Sequence, residues 1–255
     1  MVTFGQLGRH GRLGNQLFQV SSTIGIAKAN GYDYAFPEWI NHDAKERFSS
    51  TEDIDIGRWF TNWKEIRIID PTPFDEHFIG EMGQLGWGWQ GLKHPDGVSY
   101  VGHMQTERYF AHCSDYIRHL FTFREPVKVN SYTAIHVRCG DYGSDYHPIC
   151  TRDYYEQAIH AVPGPYIVFS DDAEKAYEIL RNLLDDRSWF HTGTTYDALH
   201  AMTECRRHII ANSTFSWWGA WLGNSSQVVA PRQWFGPAAA HLDTSDIYPP
   251  NWTVI

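Results

Sequence analysis

"YIVFSDDAEKAYEILRNLL", residues 166–184, decides the fold. Its first five residues are an apolar, β-branched and aromatic run, the pattern of a strand buried on both faces. Two aspartates interrupt it. A helical period follows, with Ala176, Ile179, Leu180 and Leu183 on one face. The same alternation runs outward in both directions. Upstream, "TAIHV" (133–137) is a strand and "TRDYYEQAIHAV" a helix that ends at Pro163-Gly164. Downstream come the strand "SWFHT", a helix carrying Leu199, Met202 and Cys205, the strand "HIIAN", the helix "STFSWWGAWLG" and the strand "QVVAP". Strands interleaved with helices predict a parallel sheet covered on both faces.

The first half opens in the same manner. A strand near residues 2–6 leads through "LGRHGRLGNQ" into a helix with Leu13, Leu17, Val20, Ile24 and Ala27 on one side, and Gly31 is its expected stop. Beyond it "EIRIID" and "VSYVGHM" read as strands and "TERYFAHCSDYIRHLF" as a helix. "GEMGQLGWGWQGLKHPDG" reads as a Gly- and Trp-rich loop. The segment "FREPVKVN" (123–130), broken by Pro126, is the expected linker. The predicted architecture is α/β: two Rossmann-like domains, 1–125 and 126–255, facing each other across a cleft.

Of the 255 residues 42% are hydrophobic and 20% charged, the ordinary globular range. The 11 Trp, 14 Tyr and 14 Phe fit either a rich core or a surface on which sugar faces stack. A net charge of −9 argues against nucleic acid, because phosphates need cations along a surface, whereas a small phosphorylated ligand needs only a local positive pocket. Cys113, Cys139, Cys150 and Cys205 have no zinc-type spacing, and no stretch approaches the ~20 apolar residues of a membrane span. No signal peptide is visible at the start, and the expected location is cytoplasmic.

In open parallel sheets ligands bind beyond the carboxyl ends of the strands. That rule selects His136, Arg138, Cys139 and Asp141 after the first strand of the second half. It also selects Asp171-Asp172 after the next strand, and Asn212, Ser213, Thr214, Phe215 and Ser216 after the fourth. One hydroxyl suffices to cap the last helix, which leaves a surplus free to donate outward. A helix N-terminus with unpaired N–H groups suits a phosphate or pyrophosphate, and the tryptophans then wedge the helix onto the sheet. An Asp53-Ile54-Asp55 triplet matches a metal-binding pattern, but no apolar strand leads into it, and the expected site holds no metal and no cofactor.

"GRLGNQLFQ", "YVGHMQTERYF", "AIHVRCGDY", "FSDD" and "ANSTFSWWGAWL" followed by "VVAPRQWF" resemble, in order, the motifs of the α-1,2-fucosyltransferases. The resemblance implies a GT-B-type fold with an N-terminal acceptor domain and a C-terminal domain for GDP-fucose. It implies inverting, metal-independent transfer of L-fucose to a hydroxyl of a glycan acceptor, commonly O2 of galactose. By the same resemblance Arg138 binds the donor β-phosphate, His136 with Asp171-Asp172 recognises guanine, and Ser213, Thr214 and Phe215 hold the pyrophosphate. Gly14 and Asn15 face the same phosphates from the other domain. Asp141 is the candidate base, or else the group that orients Arg138. The family's second arginine after His-Val-Arg is Cys139 here, which a thiol cannot replace in charge or donors. Either Arg12, Arg152 or another basic group compensates, or the donor is another nucleotide sugar; a non-catalytic protein that binds glycan or nucleotide is a separate alternative.

Overall fold

The computed structural model describes residues 1–42, 55–80, 87–125 and 127–255. The chain divides into two units, Met1–Glu125 with Asp243–Pro249, and Pro126–Leu242 with Pro250–Ile255. The division falls inside the "FREPVKVN" segment, whose Pro126 lies outside the described residues. Asp243–Pro249, expected in the second domain, groups with the first unit instead. There the Asp246 carboxylate accepts the Trp89 N–H at 2.8 Å and lies 3.9 Å from Arg108.

In the first unit α1 spans Leu13–Asn30 and ends at Gly31, whose φ of 70° lets its N–H reach the Ala27 carbonyl. Two regular parallel strands, β1 (Asp75–Phe78) and β2 (Val98–Val101), pair directly. The chain beside them is joined by single parallel bridges, Thr3 to Ser99, Val2 to Tyr34 and Phe36 to Ile68. The expected strands near residues 2–6 and at "EIRIID" are thus reduced to bridge positions, and β1 was not foreseen. The expected helix over "TERYFAHCSDYIRHLF" is broken as well. Short 3₁₀ turns at Glu107–Tyr109 and Ala111–Cys113 precede α2 (Ser114–Leu120), because Phe110 leaves helical geometry at φ −131°.

The second unit alternates as the sequence predicts: β3 (Thr133–Val137), α3 (Arg152–Ala161), β4 (Tyr166–Ser170), α4 (Ala173–Leu180), β5 (Trp189–Phe190), α5 (Thr195–Glu204), β6 (Arg207–Ile209), α6 (Thr214–Leu222) and β7 (Gln227–Ala230). A strand the sequence reading lacked, β8 (Thr253–Val254), completes the sheet. The order is β5-β4-β3-β6-β7-β8, parallel throughout. That order reverses between β3 and β6, so the crevice that takes ligands in such sheets opens beyond the ends of these two strands.

Both faces of the sheet are covered. Ile135, Val137 and Val168 pack with Tyr155 and Ala158 of α3 and with Ala176 and Leu180 of α4. The alternate residues Ala134, Ile167 and Phe169 pack with Ala201, Met202 and Cys205. Trp217, Trp218 and Trp221 of α6 are all buried, with ring centroids 5.0–6.0 Å apart. Indoles of this size bury roughly 150–250 Å² each, an upper estimate of about 4–6 kcal/mol apiece. Gly219 lets α6 approach α5, since a Cβ there would sit 2.7 Å from Met202 Cβ. The aromatic bulk after the Asn-Ser-Thr-Phe-Ser stretch is therefore an anchor. It fixes where the N-terminus of α6 points.

Candidate functional site

Arg138 follows β3 directly, and its guanidinium is held on three sides. Nη1 lies 2.8 Å from Asp171 Oδ2 and Nη2 lies 2.6 Å from Asp141 Oδ1. The carbon of the guanidinium sits 5.4 Å from the centre of the Tyr142 ring, close enough for a cation–π contact. Two carboxylates occupy two of its five N–H donors. Asp171 binds twice, because its Oδ1 accepts the backbone N–H of Cys139 at 2.9 Å. Gly140 is required beside it, since a Cβ at that position would run into the same carboxylate. Tyr142 in turn donates its hydroxyl to the Asn212 carbonyl at 3.0 Å and stacks on His147 at 4.9 Å. Burial raises the Tyr142 phenol well above its ordinary value. The loop after β3 is thereby tied to the end of β6, the two strands that flank the crevice.

Ser213 is the N-cap residue of α6, yet its side chain makes no capping hydrogen bond. Ser213 is itself 6% exposed, and its Oγ lies beside the first turn of the helix. Thr214 and Phe215 are partly exposed at the same end. The Phe215 ring centre lies 5.8 Å from that of His136. His136 is 4% exposed and its Nδ1 is buried without a hydrogen-bond partner. Burial drives its pKa well down, against an opposing pull from Asp171, so the ring is neutral at pH 7.

Other expected donor contacts have different employment. Asn212 is 1% exposed; its amide donates to the Pro148 and Trp234 carbonyls at 2.9 and 3.0 Å, and its Oδ1 takes the Cys150 thiol at 3.3 Å. Ser216 is fully buried, with its hydroxyl turned back to the Ser213 carbonyl at 3.3 Å. These two side chains shape the crevice and do not reach into it. Asp171 uses one oxygen on Arg138 and the other on the Cys139 N–H, so it holds the arginine and the turn that carries it. Asp172 caps α4, accepting the Lys175 N–H at 3.0 Å. Cys139 is 1% exposed and packs in the core with Val137 and Cys150. Its side chain therefore faces away from the arginine, and burial pushes its thiol up to about 11.

In the first unit Gly14 is buried in the first turn of α1, and Asn15 accepts the Gln105 amide at 3.0 Å. Of the Asp53-Ile54-Asp55 triplet, Asp53 and Ile54 lie outside the described residues, and Asp55 pairs with Arg58 at 2.7 Å. Among the described residues no group of three His, Cys, Asp or Glu side chains is placed to hold a metal. Among them, too, no helix is long and apolar enough to cross a membrane.

Residues 92–255 match the description glycosyl transferase family 11. The chain belongs to that family. An Alpha-1,2-colitosyltransferase of Escherichia coli is 31% identical over 183 residues, covering 62% of this chain and 62% of the relative. The O-antigen biosynthesis glycosyltransferase WbnK of Escherichia coli is 38% identical over 117 residues, covering 40% of this chain and 39% of the relative. This chain thus spans less than two thirds of the length of either. A solved structure of POFUT1 in complex with GDP-fucose is 12% identical, covers 88% of this chain and 94% of its own, and superposes with a TM-score of 0.46.

Within this family 11 chain the sequence reading missed Tyr142 as the platform under Arg138. An aromatic after the Arg-Cys-Gly-Asp run was a signal, but nothing local says that its ring folds back onto the arginine. That contact depends on the Asn212 carbonyl, 70 residues away.

Proposed function

We propose that this chain is an inverting glycosyltransferase that moves a 6-deoxy sugar from its GDP donor to a hydroxyl of a glycan acceptor, forming an α-1,2 linkage to galactose. L-Fucose is the first candidate. Colitose, the sugar in the name of the Escherichia coli relative, is the second, and it differs from fucose by lacking the 3-hydroxyl. One observation carries the reading: Arg138 is clamped at the strand-order reversal, beside a helix N-terminus whose first hydroxyl is not used as a cap.

In the reaction the acceptor oxygen attacks the sugar's anomeric carbon, the bond from that carbon to the β-phosphate oxygen breaks, and GDP departs with the bonding electrons. The acceptor proton passes to a base. The growing charge on the phosphate falls to Arg138, the Ser213 hydroxyl and the first N–H groups of α6, each charge-assisted contact worth roughly 1.5–3 kcal/mol. This set of donors works without a metal. Because the Cys139 side chain is in the core, the missing second arginine removes no group from the crevice as it stands, which supports retaining a GDP-sugar donor.

The test is transfer to lactose from GDP-fucose, GDP-colitose and a set of UDP-sugars, with and without EDTA. Turnover with a GDP-6-deoxy sugar that survives EDTA is expected. Turnover with UDP-sugars alone, or activity lost to EDTA and restored by Mn²⁺, overturns the proposal. Binding of glycan with no affinity for GDP would favour the non-catalytic reading.

A further inference from the structure

The segment Gly102–Thr106 of the first unit follows β2 and belongs to a motif that the donor site leaves unused. Its middle residue, Met104, has φ +48°, a conformation that costs a non-glycine residue about 1 kcal/mol or more. The flanking side chains, His103 and Gln105, both carry buried polar atoms without partners: Nδ1 of the histidine and Oε1 of the glutamine. Gln105 is only 2% exposed. Buried unsatisfied atoms are uncommon in folded proteins and call for a reason. Two of them around one strained residue mark a place where folding stability has been given up.

The surroundings hold the histidine rigidly. Its ring stacks on Trp87 with centroids 4.0 Å apart and planes 11° apart. Trp87 is itself fixed through its carbonyl, which accepts the Gln105 N–H at 2.8 Å. The Met104 carbonyl takes the Ser22 hydroxyl of α1 at 3.2 Å. Burial, aided by nearby His10, keeps the His103 pKa down at about 4, so the ring is neutral. The residue is partly exposed while its Nδ1 is buried, so the ring nitrogen left for a ligand is Nε2. A neutral, immobilised imidazole edge beside an indole suits an uncharged hydroxyl. It offers no attraction to a phosphate. The Gln105 side chain in turn donates to Asn15 of α1 at 3.0 Å.

We propose that His103 hydrogen-bonds a hydroxyl of a neutral acceptor glycoside, with Trp87 and Gln105 fixing its ring; this rests on the glycosyltransferase reading above. Two measurements on the full chain test it. His103→Phe keeps the ring stack and removes both nitrogens. It is expected to raise the acceptor KM for lactose about tenfold, the scale of one lost hydrogen bond, while GDP affinity and acceptor-free donor hydrolysis stay within about twofold. His103→Gln, whose amide nitrogen can reach the Nε2 position, should recover part of the loss. In the unmodified chain the His103 Hε1 resonance should shift on adding lactose. An unchanged KM, a parallel loss of GDP affinity, or a resonance that ignores lactose overturns the subsite. A chain that transfers no sugar, yet whose His103 resonance responds to lactose, would sink the proposed reaction and leave the subsite standing.

Discussion

Asp171 holds Arg138 by its side chain and the residue after it by the backbone: Oδ2 lies 2.8 Å from the guanidinium, and Oδ1 accepts the Cys139 N–H at 2.9 Å. One carboxylate thus fixes both the charge and the turn that delivers it. Asp171→Asn keeps an acceptor for the backbone but presents an N–H₂ or a neutral oxygen to the arginine. GDP affinity is expected to fall at least ~10-fold by titration calorimetry, with a small change in thermal midpoint. Unchanged affinity would show that Arg138 needs no such clamp.

Removing the arginine itself should cost more. Arg138→Ala is expected to lose at least ~10²-fold in turnover, the scale of one leaving-group donor. The fold should survive, because the side chain lies at a strand end and not in the core. A variant with near-normal rate would place the phosphate elsewhere.

Asp141 is 51% exposed and sits 2.6 Å from the other end of the guanidinium. That geometry favours the orienting role over that of a base. Asp141→Asn should therefore lower GDP affinity and transfer together, by about the same factor. A collapse of transfer with intact GDP affinity would restore the base assignment.

Acid should destabilise the fold over a defined window. Burial lowers the His208 pKa to about 4, with the Met202 carbonyl 2.9 Å from Nε2 and the Ser225 hydroxyl 2.8 Å from Nδ1. His103 is likewise held at about 4. The unfolded chain takes up these protons near its ordinary pKa of about 6.5, whereas the folded chain takes them up only near 4. Stability is therefore full above about pH 6.5 and declines as pH falls toward 4, by on the order of 1–3 kcal/mol for each histidine. Thermal midpoints measured from pH 7.5 to 4.5 check this, and a flat profile would contradict it.

Thiol reagents should leave the second unit alone. Cys139, Cys150 and Cys205 are buried, and burial raises their pKa values to about 11, 11 and 12. Iodoacetamide at pH 7.5 is expected to modify none of the three in the folded chain, as peptide mass mapping would show. Modified Cys139 would mean that the loop after β3 opens in solution.

The sequence alone determined the alternating α/β order of the second unit and the strand ends that carry the candidate site. Both are local: a buried strand needs an apolar run, a covering helix needs a 3.6-residue stripe, and Arg138, Asp171 and Ser213 each follow such a run directly. Only the tertiary structure decided which of these side chains face the crevice. Asn212 and Ser216 lie within four residues of Ser213, yet their polar atoms go to the Pro148, Trp234 and Ser213 carbonyls, because buried amides and hydroxyls must find acceptors wherever the fold brings them. Position 139 follows the arginine in sequence but turns into the core by the two-residue alternation of the strand. In the first unit the regular pattern gave way to single bridges, and the strained turn at Met104 carries no local signature. Its carbonyl takes the Ser22 hydroxyl of α1, a contact between residues 82 apart that no reading along the chain foresees.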